Sequence, residues 1–280
     1  MKITALIENA SERDELSPQY GLSLFVETAH GSIVVDAGQD GTAYDNFCTM
    51  GFDREAIDAL VASHNHFDHI GGMQTFLDAT AARRVPLYLS AQSKLPLVSK
   101  RFLHRARLVS RSEVIEQNED RCFFVEDAVQ ILLGAFACRV KTPDLAYSCQ
   151  DKKLKMLNGA GRRVPDDFRH EIYLAVIEDG AVKIVSPCSH NGAVNIIRDA
   201  EERFSLPVRA FIGGLHLRGS SSDSLNCSKR YLSDVAARLN ELLPDALYTC
   251  HCTGRKAFLL LKEQLACNVQ YFHTGDSFRV

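Results

Sequence analysis

The 280-residue chain is 46% hydrophobic, 24% charged and 8% aromatic, enough apolar material for one large or two small buried cores and too little Gly and Pro for a fibrous or disordered chain. No apolar run approaches the ~18 residues of a bilayer span, and Met1 to Ile7 meets Glu8 too early for a signal peptide, so the expectation is a cytoplasmic protein without a membrane partner. Nine Cys, an odd number without a CxxC pair, argue for reduced thiols rather than a disulfide framework, and the net charge of −3 argues against a nucleic-acid binder.

In chain order, the alternation at Ile3, Ala5 and Ile7 predicts a strand. Leu22 to Val26 and Ile33 to Val35, with Ala29-His30-Gly31 between them, predict a hairpin. Asp36-Ala37-Gly38 precedes a short helix near 42–50. The apolar run 57–63 predicts a buried strand that empties into His64-Asn65-His66-Phe67-Asp68-His69, then Gly71-Gly72 and a helix over Met73 to Ala82.

Residues 83–111 carry eight Lys or Arg and no acid: Arg83, Arg84, Lys94, Lys100, Arg101, Arg105, Arg107 and Arg111. Subtracting that +8 from the net −3 leaves −11 on the rest of the chain. Such a segment can steer an anionic ligand, in which case reversing Arg101, Arg105 and Arg107 raises KM; otherwise it is a solvated face paired with acids elsewhere.

Strands are predicted at Cys122 to Glu126 and Val129 to Leu133, followed by a polar loop from Lys141 to His170 in which Gly159-Ala160-Gly161-Arg162-Arg163 is a surface turn. After it come strands 172–177 and 182–186, helix 193–204, strand 208–212, helix 229–242, strand 246–249, helix 256–265 and a last strand 269–272. Strands alternating with helices define the α/β class.

The chemistry concentrates at 64–69. In extended chain, residues i and i+2 face the same way, so His64 and His66 can grip one ion, while Asp68 and His69, past the turn, face a second point. Two ions ~3.5–4 Å apart would polarise a substrate oxygen and activate water. No Gly-x-Ser-x-Gly elbow, Walker A loop or GxGxxG after a strand is present, so serine hydrolases, NTPases and dinucleotide enzymes have no support.

His64-x-His66-x-Asp68-His69 after a buried strand resembles the HxHxDH signature of the metallo-β-lactamase superfamily, and Asp36-Ala37-Gly38 is similar to that family's Asp-x-Gly turn. The resemblance implies an α/β, four-layer αββα sandwich spanning 1–280 as one domain, with an inserted region near 91–165. It also implies a divalent-metal site, with two ions and zinc first, manganese or iron as alternatives. Asp68 would hold the second ion and orient the attacking water. His251, in Cys250-His251-Cys252-Thr253-Gly254, is similar to the superfamily's last metal-binding His.

At the strand end where the superfamily carries a bridging Asp, this chain has Ser186-Pro187-Cys188-Ser189-His190. His190 is the expected substitute ligand, and Cys188 is read as a buried thiol before it is read as a soft ligand. His170 is a further ligand candidate, and His216, after Gly213-Gly214, a candidate catalytic or substrate contact. His30, His104 and His273 have no supporting pattern. The CSHxG, GGLHL and CHCTG runs resemble the dihydropterin-ribofuranosylaminobenzene phosphate synthase-like subgroup. The expected function is hydrolysis of a small anionic substrate by metal-activated water; the alternative is a pterin-condensing transferase.

Overall fold

The computed structural model describes residues 1–100, 106–243 and 245–280, with backbone only at 100, 106 and 107. The N-terminal half contains β1 (Lys2–Ile7), β2 (Ser23–Thr28), β3 (Gly31–Val35), α1 (Thr42–Thr49), β4 (Ile57–Ala62), α2 (Phe67–Ile70), α3 (Met73–Ala79), β5 (Leu87–Ser90), β6 (Leu97–Lys100), β7 (Ala106–Leu108), α4 (Glu113–Gln117), β8 (Cys122–Val125), β9 (Ala128–Leu132) and β10 (Ala135–Cys138). The C-terminal half contains β11 (Leu154–Leu157), β12 (Arg163–Pro165), β13 (Tyr173–Glu178), β14 (Ala181–Val185), α5 (Ala193–Phe204), β15 (Val208–Ile212), α6 (Lys229–Leu242), β16 (Ala246–Thr249), α7 (Arg255–Gln264), β17 (Asn268–Tyr271) and β18 (Ser277–Arg279).

Two seven-stranded sheets face each other, in the orders β18-β1-β2-β3-β4-β5-β8 and β17-β16-β15-β14-β13-β10-β9. Period-2 alternation explains how one strand serves two buried faces. Leu24, Val26, Ile33, Val35, Ala59 and Val61 turn inward onto Leu174, Val176, Val185, Ile212 and Tyr248 of the other sheet. Phe25, Val34, Leu60 and Ala62 turn outward onto Phe47 of α1 and Met73, Phe76 and Leu77 of α3. The second sheet's outer face, including Tyr173, Ile184 and Phe211, is covered by Val194 and Ile197 of α5, Leu232 and Leu239 of α6 and Leu261 of α7. The layers are therefore α, β, β, α, as expected.

Four sequence expectations need correction. Residues 91–165 are not one insertion: β8 joins the first sheet, β9 and β10 join the second, and only β6, β7, β11 and β12 form a separate four-stranded sheet, in the order β12-β11-β6-β7. The polar loop 141–170 accordingly holds β11 and β12, with the Gly159 to Arg162 turn closing their hairpin as Leu157 pairs with Arg163. The last strand is not 269–272, because β18 follows it and pairs antiparallel with β1. Helix α3 also stops at Ala79, where Thr80 turns its hydroxyl back onto the Phe76 carbonyl at 2.8 Å, short of the expected Ala82.

The order of the parallel strands positions the site. β3, β4 and β5 run parallel in one sheet, and β14, β15, β16 and β17 in the other. Carboxyl ends of parallel strands are where crossover loops open a crevice. Here the loops after β3, β4, β14, β15 and β16 carry Asp36, His64 to His69, Cys188 to His190, His216 and Cys250 to Cys252. Among the described residues, no helix is long and apolar enough to cross a membrane.

Candidate metal centre

Each site residue is set by a short, specific local device. Asp36 ends β3 in the left-handed region (φ 58). Its buried carboxylate accepts from Ser63 N and Ser63 Oγ, both at 2.7 Å, and pairs with His69 Nδ1 at 2.6 Å. Ser63 Oγ in turn lies 2.8 Å from His64 Nδ1. One carboxylate thus orients two imidazoles through their δ nitrogens, leaving each ε nitrogen toward the centre. Gly71 and Gly72 make this possible: a Cβ at either would overlap backbone carbonyls of the 37–40 turn, so the helix entry and the Asp36 turn approach as closely as backbone allows.

From the second sheet, Ile172 N donates to Ser63 O at 2.7 Å, which draws the start of β13 against the His64 loop. Glu171, buried beside it, accepts from His190 N at 2.6 Å and Asn191 N at 2.8 Å and so fixes the turn after β14. Gly213 and Gly214 let the end of β15 close onto Ser186, Pro187 and the Cys252 thiol. His251 Nδ1 lies 3.0 Å from Asn9 Oδ1, and His251 N donates to Glu8 Oε1 at 2.8 Å. Ser189, His216 and His251 share the left-handed backbone of Asp36 (φ 54, 47 and 45), strain that concentrates at these strand ends.

The result is a buried knot of imidazoles. His64 Nε2 is 3.3 Å from His190 Nε2, and Asp68 Oδ2 is 3.9 Å from His69 Nε2 and 3.7 Å from His251 Nε2. Cys188 is also here, its Sγ 3.2 Å from His69 Nε2, rather than in the apolar core. His170 lies beside His66 (ring centroids 5.6 Å apart), with its Nε2 3.2 Å from Asp166 Oδ2. His216 packs on His190, centroids 4.3 Å apart. Cys252 and Cys149 were not singled out from the sequence. Cys252 accepts from His216 N at 3.3 Å, and Cys149 groups with His190 and His216. The CxC spacing around His251 was the available signal for Cys252; nothing local marks Cys149.

A divalent ion fits these donors. His66 Nε2, His170 Nδ1, His190 Nδ1, His216 Nδ1 and His251 Nε2 are buried without a hydrogen-bond partner, a condition that native cores avoid unless something else satisfies the atom. Ligand atoms of His64, His66 and His190 lie within 4.8 Å of one another, as do those of His64, His69 and Cys188, and of Cys188, His251 and Cys252. An ion ~2.0–2.3 Å from each donor requires about that spacing.

Burial, reinforced by the neighbouring imidazoles, holds His64, His66, His190 and His251 well below the ordinary imidazole range, in the neutral form that binds metal. Burial also pushes down on His69, but Asp36 and Asp68 outweigh it and raise this imidazole. Burial pushes the Cys188 thiol well up, whereas hydrogen bonds from Cys188 and His216 overcome burial at Cys252 and draw it toward thiolate.

A stability prediction follows for metal-free protein. Below about pH 6.5 the unfolded chain takes up protons that four buried rings refuse, so stability falls as pH drops, each ring contributing at most about 1.4 kcal/mol per pH unit. His69 and His216, both raised, and the buried carboxyls of Glu8, Asp68 and Glu171, also raised, act the other way, because the folded state holds their protons at a pH where the unfolded chain has lost them. Urea unfolding at pH 7.5 and 5.5 measures the balance, and a midpoint that rises toward pH 5.5 would show that the raised groups, not the four neutral rings, set its sign.

Above the knot lies a cavity of about 190 Å³ whose walls include Tyr20, His66, Asp68, Cys188, His216 and Cys252. The four-stranded sheet borders it: Phe67 N donates to Val109 O at 2.7 Å, and His66 bridges to Ser110. Of the basic segment, Arg83 lies 3.8 Å from Asp58, Arg84 2.6 Å from Asp120 and Lys94 2.5 Å from Glu119, so these three follow the solvated-face reading. Arg101, His104 and Arg105 lie outside the described residues, as do the side chains of Lys100 and Arg107.

These layers define a metallo-β-lactamase fold, and a family model described as the metallo-beta-lactamase superfamily matches residues 16–138. Among solved structures, Tm1679, described as a metal-dependent hydrolase of the beta-lactamase superfamily, superposes with a TM-score of 0.81 at 22% identity, covering 100% of this chain and 99% of that one. Zn(2+)-bound PqqB from Methylobacterium extorquens superposes with a TM-score of 0.56 at 11% identity, covering 100% of both chains. The subgroup resemblance is also borne out. The chain is 26% identical, over 98% of its length and 95% of the relative's, to the 7,8-dihydropterin-6-methyl-4-(beta-D-ribofuranosyl)-aminobenzene-5'-phosphate synthase of Methanocaldococcus jannaschii.

Proposed function

We propose that this protein is a metal-dependent hydrolase of a small anionic substrate. The observation that carries the reading is the convergence of unpartnered buried imidazole nitrogens with Asp68 beneath a cavity large enough for a reacting group. His64, His66 and His190 would hold one divalent ion, with His170, anchored by Asp166, beside them. Asp68, His69, His251 and Cys188 would hold a second. Zinc suits this mixture of imidazole, carboxylate and thiol, with manganese or iron as alternatives.

When bound, such ions supply Lewis acidity and a nucleophile at neutral pH. The chain supplies the rest. Asp36 keeps His69 and, through Ser63, His64 in one ring orientation, so the donors need no rearrangement. Asp68, raised by burial, is placed to orient the attacking water and take its proton. His216, on the cavity wall, would contact a leaving group or substrate oxygen bound there. Nine free thiols suit a reducing compartment, in keeping with a cytoplasmic protein.

Full-length similarity to a named synthase supports a second reading, a pterin-condensing transferase at the same centre. Metal analysis of the purified protein, with a screen of phosphoesters, lactones and thioesters, tests the first. Incubation with a dihydropterin diphosphate and a phosphorylated aminobenzene riboside, followed by product analysis, tests the second. His190→Ala should lower bound metal. Cys188→Ser should lower it too, now that the thiol is known to face His69, and full metal content in both variants would remove these two residues from the ligand set.

A further inference from the structure

A second cavity, of about 490 Å³, adjoins the metal cleft, and Arg218 and His251 line both. Its volume falls within the ~300–1,000 Å³ of small-molecule sites. Phe258, Leu259 and Tyr271 form an apolar wall. Arg218 and Arg255 supply two cations, and among the described residues neither has a carboxylate partner. Among the described residues, Glu8 is the one carboxylate on the wall, and both its oxygens are engaged, by His251 N, Tyr271 OH and Ala10 N.

Arg218 is held in place rather than left to wander. Its guanidinium lies 5.1 Å from the centre of the Tyr20 ring, its backbone N donates to Cys252 O at 2.8 Å, and its stem rests against Gly254, where a Cβ would come within 3.0 Å. Its Nε is nonetheless buried with no hydrogen-bond partner. A guanidinium fixed by stacking and without a carboxylate partner, at the junction of a metal cleft and a pocket with an apolar wall, can offer its planar fork to two oxygens of an oxyanion.

We propose that the larger pocket binds the non-reacting end of a ring-bearing organic phosphate, its ring against Phe258, Leu259 and Tyr271 and its oxyanion on Arg218, with Arg255 adding charge at the rim. This assignment rests on the reading of the adjoining cleft as the reaction centre, and it deepens that reading by naming the substrate class.

The test uses metal-loaded protein and calorimetric titration with phenylphosphonate and, separately, inorganic phosphate. Phenylphosphonate should bind the wild type more tightly than inorganic phosphate does. Arg218→Met and Arg255→Glu should each weaken phenylphosphonate, the former by roughly 10–100-fold as expected for a lost charge-assisted hydrogen bond, with metal content unchanged. The Arg255 effect should shrink between about 0.05 M and about 0.5 M salt. Arg255 is exposed, so its variant reads out even if Arg218→Met fails to fold.

Absence of phenylphosphonate binding to the wild type would overturn the proposal. So would equal affinity for the two probes, or unchanged binding in both variants, which would mean an anion seated on the metals alone. Failure of the metal reading itself shows separately, as a purified wild type that takes up no divalent ion.

Discussion

His66→Ala should yield a folded protein with reduced bound metal and a loss of turnover on the order of a thousandfold or more, the scale of several kcal/mol of transition-state stabilisation. His66 caps the entry to α2 in extended conformation, and its Nε2 is buried without a partner, so the ring is committed to the centre rather than to the packing around it. Removing it takes no hydrogen bond from the fold through that atom. The backbone ties of the loop remain, with His69 N and Ile70 N on His66 O at 3.0 Å and Phe67 N on Val109 O. Circular dichroism should therefore match the wild type while elemental analysis and turnover do not. Full metal stoichiometry with full turnover in this variant would refute the site.

Asp36→Asn should weaken metal binding by roughly 10–100-fold although Asp36 would touch no ion, because it sets the rings that do. Asparagine is the informative replacement: it keeps the shape and, like aspartate, tolerates the left-handed backbone that Asp36 adopts, so the change isolates charge and acceptor capacity. The native carboxylate accepts from Ser63 N, Ser63 Oγ and His69 Nδ1. An amide replaces one of its acceptor oxygens with a donor, which faces another donor and leaves a buried group unsatisfied, at a cost of about 1–3 kcal/mol in stability. Competition against a chromophoric chelator gives the affinity and urea unfolding gives the stability. Wild-type metal affinity in Asp36→Asn would show that His64 and His69 are positioned by something other than this carboxylate.

The spacing of His64, His66, Asp68 and His69 is a local property, since the two-residue repeat of extended chain and the turn into α2 decide which side chains share a side. The same holds for the strands whose two faces alternate, for the helices over 193–204 and 229–242, and for the Asp36 turn, all legible in the chain order of apolar and turn residues. Sequence reading failed where pairing is long-range. β18 is three residues long and acquires its identity only from β1, and β6, β7, β11 and β12 are short strands with weak alternation that exist because they pair with one another. Reading 91–165 as one block followed from that, because β8, β9 and β10 cannot be assigned to the two main sheets without knowing the strand order.

By itself the sequence determined the spacing of the first four candidate donors and the α/β class, because both rest on periodicities of a few residues, while the four layers were what the family resemblance implied. Only the tertiary structure decided the company those donors keep. Cys188 meets His69, His190 meets His64, and Cys252 meets His216 across separations of 119, 126 and 36 residues. Parallel strand order and close backbone approaches at Gly71, Gly72, Gly213 and Gly214 create those meetings. Arg218 illustrates the same division: nothing in its neighbours marks it, and its place between two cavities exists only once the ends of β15 and β16 are folded side by side.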